Sequence, residues 1–267
     1  MSSEPTSMDR PNRVKVGFLS ATHSSPTGDD QPYLSWHRLD HMPEQYRLPG
    51  LVLGQRWKSS PECRRARWAE AETWKAVEHI VCYFMGEPVD ETVDDFLALG
   101  RQLAEMGRYS QVMPSQYRGA LRLLGTAAAP RVLVSPEVVP FRPHGGIFIV
   151  IEEPDGPSPV DAGAGAGARW DGHLQRLRDE IPGALTQQEG VAGVWTFATS
   201  PDLRRRMFTG GTLAATLCYL DNDPAAVAQR LAPALERLFA QTPTRVLLAA
   251  PFESIIRWEG EDPAPST

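Results

Sequence analysis

The sequence predicts an α+β fold: two tandem ferredoxin-like β-α-β-β-α-β halves, packed sheet to sheet as a pseudo-dimeric α/β barrel. Three internal matches, met in the same order in each half, point to it. Gly50–Pro61 and Gly190–Pro201 have the same length, begin at Gly and end in Ser-Pro. Ile80-Val81-Cys82-Tyr83-Phe84 matches Thr216-Leu217-Cys218-Tyr219-Leu220, and Pro88 and Pro224 each follow their cysteine by six residues. Arg131-Val132-Leu133-Val134-Ser135-Pro136 resembles Arg245-Val246-Leu247-Leu248-Ala249-Ala250. In each half the helices leave one sheet face bare, and packing the two bare faces together is the simplest way to bury both.

The elements follow from local pattern. Residues 1–12 are polar, carry Pro5 and Pro11 and lack an apolar signal core, so they read as a disordered leader. The first half spans 13–142. Val14–Thr22 is an apolar strand, Tyr33–Arg47 a helix, and Leu51–Lys58 and Trp74–Phe84 two strands. Val89–Gly107 is a helix whose Val93, Phe96, Leu97, Leu99 and Leu103 form a 3.6-period face. Tyr117–Leu124 and Arg131–Val139 read as extended. The second half spans 143–259, with strands at Gly146–Glu152, Val191–Thr199, Thr212–Leu220 and Arg245–Trp258. Its helices are Trp170–Glu180 and Pro224–Phe239, the latter opened by a proline where the missing N–H costs least. The Ala/Gly run Asp161–Ala168 reads as a flexible loop and 260–267 as a flexible tail.

Bulk composition narrows the function classes. Of 267 residues 42% are hydrophobic and 22% charged, and the net charge is −6, which argues against a nucleic-acid partner or an anionic membrane surface. The basic runs Arg64–Arg67 and Arg204–Arg206 are too short to form a nucleic-acid groove in an acidic protein. No apolar run approaches the ~20 residues that span a bilayer. Three cysteines without CxxC spacing argue against a disulfide framework or a Cys-rich zinc site, and the cytoplasm is the expected address. Asp90, Glu91, Asp94 and Asp95 need no function, since a helix N-terminus favours negative charge.

Chemistry concentrates in Tyr33-Leu34-Ser35-Trp36-His37-Arg38-Leu39-Asp40-His41-Met42-Pro43-Glu44, followed by Leu48-Pro49-Gly50. On a regular helix His37 and His41 share a face, as do Trp36 and Asp40. A histidine beside a carboxylate is an acid/base couple near neutral pH. His41 is therefore the candidate acid/base, Asp40 its orienting partner and His37 a second proton carrier. His37 and His41 also form half of a metal site, which needs a third ligand such as Glu44 or His79. In Val77-Glu78-His79-Ile80-Val81, alternation puts His79 on one face with Val77 and Val81. His79 joins the site if that face lines a cavity and is inert if it meets solvent. Arg56 is suited either to clamp a carboxylate or phenolate or to form a surface ion pair. Tyr33, Trp36, Trp57, Trp74, Tyr83 and Phe84 are suited to line a planar-ligand pocket or simply to fill a core.

The segment Trp36-(x)4-His41-Met42-Pro43-Glu44, then Leu48-Pro49-Gly50 and Arg56-Trp57, resembles the EthD-like branch of the dimeric α/β-barrel superfamily. The resemblance is carried by Tyr33–Trp57 and is only architectural elsewhere. It implies a cavity between sheet and helices, used for cofactor-independent chemistry on small aromatic or polyketide-like molecules. It places the family histidine on His41 and an acidic neighbour on Asp40, while His37 stands where the family has an aromatic. Other branches of the superfamily bind haem. In the second half Trp170 falls on Trp36, yet Gln175 stands where His41 would be, so one working site is expected.

The expected function is a cofactor-independent lyase, dehydratase, isomerase or cyclase of secondary or catabolic metabolism, acting on a small apolar substrate. His41, Asp40 and His37 would carry the catalysis, with Trp36, Tyr33, Arg56, His79 and Trp57 around the substrate and no metal. The alternatives are an oxygen-using oxidoreductase, cofactor-free or haem-bearing, and a non-catalytic small-molecule binder. The intramolecular pseudo-dimer leaves further homodimerisation open.

Overall fold

The computed structural model describes residues 12–109, 113–156, 164–203, 211–239 and 242–255. The leader up to residue 11, the Arg204–Arg206 run and the tail lie outside them, as does the start of the Asp161–Ala168 run.

The first half contains β1 (Val16–His23), a helical segment, β2 (Leu51–Lys58), β4 (Val77–Met85), α4 (Val89–Glu105) and β5 (Ser115–Ala128). The helical segment is α1 (Gln31–Trp36), a π-turn (His37–His41) and α2 (Met42–Gln45), while α3 (Pro61–Arg65) and the short β3 (Ala69–Glu70) lie between β2 and β4. The second half contains β6 (Gly146–Pro154), α5 (Ala164–Asp179), α6 (Ile181–Thr186), β7 (Val191–Ala198), β8 (Ala214–Leu220), α7 (Pro224–Phe239) and β9 (Thr244–Ser254). The α5 helix begins at Ala164 inside the run read as a loop. Alternating alanines, the best helix formers, offset the glycines between them.

Strand order is β2-β4-β1-β5-β7-β8-β6-β9, with the short β3 also on β9 and every adjacent pair antiparallel. Each half therefore orders its own strands second, third, first, fourth, and the fourth strand of each meets the second strand of the other. β5 pairs with β7 from Arg122↔Ala198 to Ala128↔Gly193, whereas β9 touches β2 only at Trp57↔Ser254 and Lys58↔Glu253. That short second seam closes the ring as a pseudo-dimeric α/β barrel of two ferredoxin-like halves.

Alternation of side chains across the strands makes three apolar layers. The barrel interior takes residues from both halves, including Leu19, Trp57, Ile80, Cys82, Phe84, Ile149, Trp195, Phe197, Leu217, Tyr219 and Phe252. Outside the first sheet, Phe18, Val81 and Tyr83 meet Val93 and Phe96 of α4. Outside the second, Phe148, Val150 and Cys218 meet Trp170 and Leu177 of α5 and Leu231 of α7.

Two of the internal matches need correction. Arg131–Val139 is not extended: Pro130–Val132 and Pro136–Phe141 form 3-10 turns, because the prolines break any ladder, and β5 rather than this stretch corresponds to β9. Cys82 and Cys218 are also not equivalent. Cys82 pairs with Gln55 and faces the barrel interior, whereas Cys218 pairs with Val194 and faces the helices. In strand register the partner of Cys82 is Leu217 and that of Tyr83 is Cys218, and a one-residue slip turns every side chain to the other face.

Gly146 allows β6 and β9 to approach. A Cβ there would lie 2.0 Å from the Phe252 carbonyl oxygen and 2.6 Å from Pro224 Cγ. Gly146→Ala is expected to lower the free energy of unfolding by about 3 kcal/mol, read as a fall in the urea midpoint.

Candidate active site

The helical segment over the first sheet contains an irregularity that builds the site. From His37 to His41 it widens into a π-turn, where the Met42 N–H donates to the His37 carbonyl, five residues back. Pro43 supplies the physical reason. It has no N–H to offer the Leu39 carbonyl, and its ring would strike that carbonyl in a regular helix, which one extra residue in the preceding turn relieves.

The π-turn changes which side chains share a face. Trp36 and His41 stack with ring centroids 4.7 Å apart, and His37 and His41 stand 5.5 Å apart. Both histidines are buried. Asp40, expected beside His41, is turned outward instead: its side chain is 43% exposed and its Oδ1 accepts from Arg108 Nη2 at 2.6 Å. Arg108 also reaches Glu44 at 3.3 Å, and its backbone carbonyl accepts the Trp36 indole N–H at 3.1 Å. Asp40 thus positions rather than orients: through Arg108 it ties the end of α4 to the π-turn and brings Tyr109 against Trp36 (5.3 Å) and His41 (5.2 Å).

These rings line a cavity of about 360 Å³ between the first sheet and its helices. Its walls are Phe18, Ser20 and Thr22 from β1, Val81 and Tyr83 from β4, Tyr33, Trp36, His37, His41 and Gln45 from the helical segment, and Phe96, Leu97, Gly100, Arg101 and Ala104 from α4. Tyr109 and Arg118 complete it. The lining is mostly apolar. Of the expected residues it gathers His37, His41, Tyr33 and Trp36.

Besides Asp40, three other expected residues lie outside its lining. Trp57 faces the barrel interior, because β2 alternation puts it opposite to Arg56, and its indole N–H donates to His144 Nε2 at 3.1 Å. His79 lies on the helix-facing side of β4, but its Nε2 is 2.9 Å from Asp30 Oδ2. Arg56 is buried with its guanidinium carbon 4.8 Å from the centre of the Tyr33 ring, and its Nε and Nη1 have no hydrogen-bond partner. It does not itself line this cavity.

Electrostatics make the histidines neutral. Burial, with the Arg118 and Arg56 charges added, lowers the His41 pKa to about 4 against the opposing pull of Asp40. Burial, then Arg56 and the neighbouring histidines, holds His37 well below its ordinary value. Burial and Arg56 lower His79 to about 4 although Asp30 opposes. Burial raises Tyr83 well above the usual phenol range, so its hydroxyl keeps its proton, and it shares a hydrogen bond of 3.0 Å with His37 Nε2, either atom donating according to the His37 tautomer. His41 lines the cavity, and its Nδ1 is buried without a hydrogen-bond partner.

Sequence reasoning missed Gln45, Tyr109, Arg118 and the tie through Arg108. Gln45, four residues after His41, was open to a periodicity argument; the others come from distant strands and loops and carried no signal. Glu44, a candidate third metal ligand, is turned to Arg47 and Arg108, and no cluster of three metal-ligating side chains occurs among the described residues.

No family model matches the chain, and no curated protein matches it. Solved structures similar to it include an anthrone oxidase-like protein, 12% identical, covering 96% of this chain and 97% of its own, with a TM-score of 0.49. A candidate monooxygenase from Fusobacterium nucleatum subsp. nucleatum is 8% identical over 92% of this chain and 94% of its own, with a TM-score of 0.48. A candidate chlorite dismutase is 10% identical over 91% and 95%, with a TM-score of 0.45. Among the described residues no helix is long and apolar enough to cross a membrane.

The lowered histidines fix the sign of acid sensitivity. In the unfolded chain they take protons near pH 6.5, while in the folded chain His41 and His79 resist until about pH 4. Unfolded chains therefore bind more protons in that window, and stability, complete above pH 6.5, is lost as pH falls through it. Two such groups give a slope of roughly 3 kcal/mol per pH unit. Urea midpoints at pH 7, 5.5 and 4.5 are expected to fall steeply, and a flat series would contradict the burial of neutral histidines.

Proposed function

We propose that the protein is a cofactor-independent enzyme of the EthD-like branch, arisen by duplication within one chain and working in the cytoplasm. It moves a proton on a small, flat, largely apolar substrate, in a lyase, dehydratase, isomerase or cyclase reaction. One observation carries the reading: a His41 that burial keeps neutral, held by Trp36 and Tyr109 at the wall of an apolar cavity.

A base in such a place is already desolvated, so its lone pair need not shed water before it meets a carbon- or oxygen-bound proton. The cavity is at the lower end of the ~300–1,000 Å³ range of small-molecule sites, the size of a fused-ring aromatic. In the reading, His41 Nε2 takes the proton, and the resulting enolate or phenolate sits in the field of Arg118 on the cavity wall and of the buried Arg56 charge. The same positive field keeps His41 from being protonated in the resting state. The Tyr83–His37 pair, joined by a hydrogen bond of 3.0 Å, supplies the second proton carrier in the reading. Asp40, through Arg108, keeps the wall in place.

A surrogate measures this chemistry without the natural substrate. β-Tetralone has acidic benzylic C–H bonds, and its exchange in D2O is followed by NMR. The protein is expected to accelerate exchange above buffer, equally under air and argon, and His41→Ala to remove ~10²–10⁴-fold of it. Because a base works only when unprotonated, the rate should be level at neutral pH and decline only toward pH 4. Exchange that survives His41→Ala in a folded variant, or that needs oxygen, would overturn the reading.

A further inference from the structure

Among the described residues that line this cavity there are two arginines and no carboxylate, although the chain as a whole has 33 acidic and 27 basic residues. Its two histidines are neutral, so the arginines set its charge. Arg118 stands opposite Ser20 in the β1–β5 ladder, and cross-strand partners share a face of the sheet. Ser20 is itself a wall residue, so the Arg118 side chain leaves β5 on the cavity side. It is half-buried, its Nη2 lies 3.5 Å from the Met113 carbonyl oxygen, and its charge is felt by both His41 and Tyr109. Arg101 belongs to the face of α4 that meets the cavity, where Leu97, Gly100, Arg101 and Ala104 follow one another at helical spacing. The acidic side chains of the helical segment, Asp40 and Glu44, are both turned to Arg108. A ligand that brought only rings would seal Arg118 from water without offering it a counter-charge, which is unfavourable.

We propose that the ligand is a flat aromatic carboxylate, its rings among Trp36, Phe96 and Tyr109 and its acid group on Arg118, with the Arg101 charge adding to the attraction. This names the substrate class of the proposed activity and rests on that reading for the role of the cavity. The clamp expected of Arg56 thereby falls to Arg118, since Arg56 is buried outside the lining. A guanidinium presents paired N–H donors that match the two oxygens of a carboxylate, and poorly solvated surroundings strengthen the pair. The surrounding rings select for flatness. Where the acid group adjoins the oxygen that gains charge, as in a β-keto or ortho-hydroxy acid, one guanidinium serves both.

Fluorescence titration at neutral pH with three naphthalenes of similar size tests this. 2-Naphthoate is an anion, 2-methylnaphthalene is neutral and has no hydrogen-bonding group, and 2-naphthylmethylamine is a cation. The wild-type protein is expected to bind 2-naphthoate ~10-fold or more tightly than 2-methylnaphthalene, the yield of one charge-assisted contact, and to bind the amine least. Arg118→Met nearly keeps the side-chain bulk and removes the charge. It should bring 2-naphthoate down to the affinity of 2-methylnaphthalene or below it, while 2-methylnaphthalene, which makes no polar contact with the arginine, stays within ~3-fold of wild type. Arg118→Lys, with the charge but not the paired donors, should keep an intermediate preference. His41→Ala should keep the full preference. A protein that prefers 2-naphthoate yet exchanges no benzylic proton therefore separates failure of the base assignment from failure of this inference. A wild-type preference below ~3-fold overturns the proposal without recourse to any variant, and so does a preference that persists in Arg118→Met.

Discussion

Each half of this protein makes a four-stranded antiparallel sheet, and helices follow the chain onto only one of its faces. The other face carries Leu19, Ile80, Cys82 and Phe84 in the first half and Ile149, Trp195, Leu217 and Tyr219 in the second. At ~25 cal/mol per Å² of apolar surface, leaving either face in water would cost more than a domain's net stability. Closing the ring buries both at once and removes the sheet edges with the same hydrogen bonds. The closure also sets where a ligand can go. The cavity that holds His37 and His41 lies outside the barrel, between sheet and helices.

In that outer layer the two halves diverge, and strand register shows how. Where the first half has Phe18, Ser20, Thr22 and Tyr83, the second has Phe148, Val150, Glu152 and Cys218. Val150, Trp170, Leu177 and Leu231 fill the second layer, and Glu152 is paired with His173 at 2.5 Å. In the first layer, Ser20 and Gly100 keep side-chain volume low at the wall, and the π-turn swings Trp36 and His41 together. The cavity is thus a local feature of sequence. The barrel scaffold is common to both halves, while this cavity belongs to the first.

Much of the scaffold was legible in the sequence because strand and helix periods are local properties. Leu51–Lys58 appears where alternation puts it, and Val89–Glu105 follows the 3.6-period face of Val93, Phe96 and Leu103. The matched prolines do mark helix starts, Pro88 as the residue before α4 and Pro224 as the first of α7. Register was less legible. Cys-Tyr recurs in both copies, yet the strand ladders, bulged at the same place in each half, leave the repeated pair one residue out of step. The site was readable as residue types and not as directions. His41-Met42-Pro43-Glu44 announced itself, but a regular helix was assumed, and it was Pro43 that invalidated the assumption by forcing the π-turn. Asp40 left the histidine face for that reason.

The charge pattern follows from the same displacement. Had Asp40 stayed beside His41, its carboxylate would have favoured the imidazolium and produced an acid at neutral pH. Turned out to Arg108, it leaves burial and the Arg56 and Arg118 cations to dominate, and they drive His41 toward the neutral base. His79 retains its own carboxylate, Asp30, and is still neutral, which shows how strongly burial and Arg56 outweigh one hydrogen-bonded partner here. A general base whose conjugate acid is disfavoured in the resting site gains most when its proton's departure leaves an anion nearby, because imidazolium and anion then stabilise each other in a poorly solvated space. The geometry therefore favours reactions in which negative charge forms next to His41.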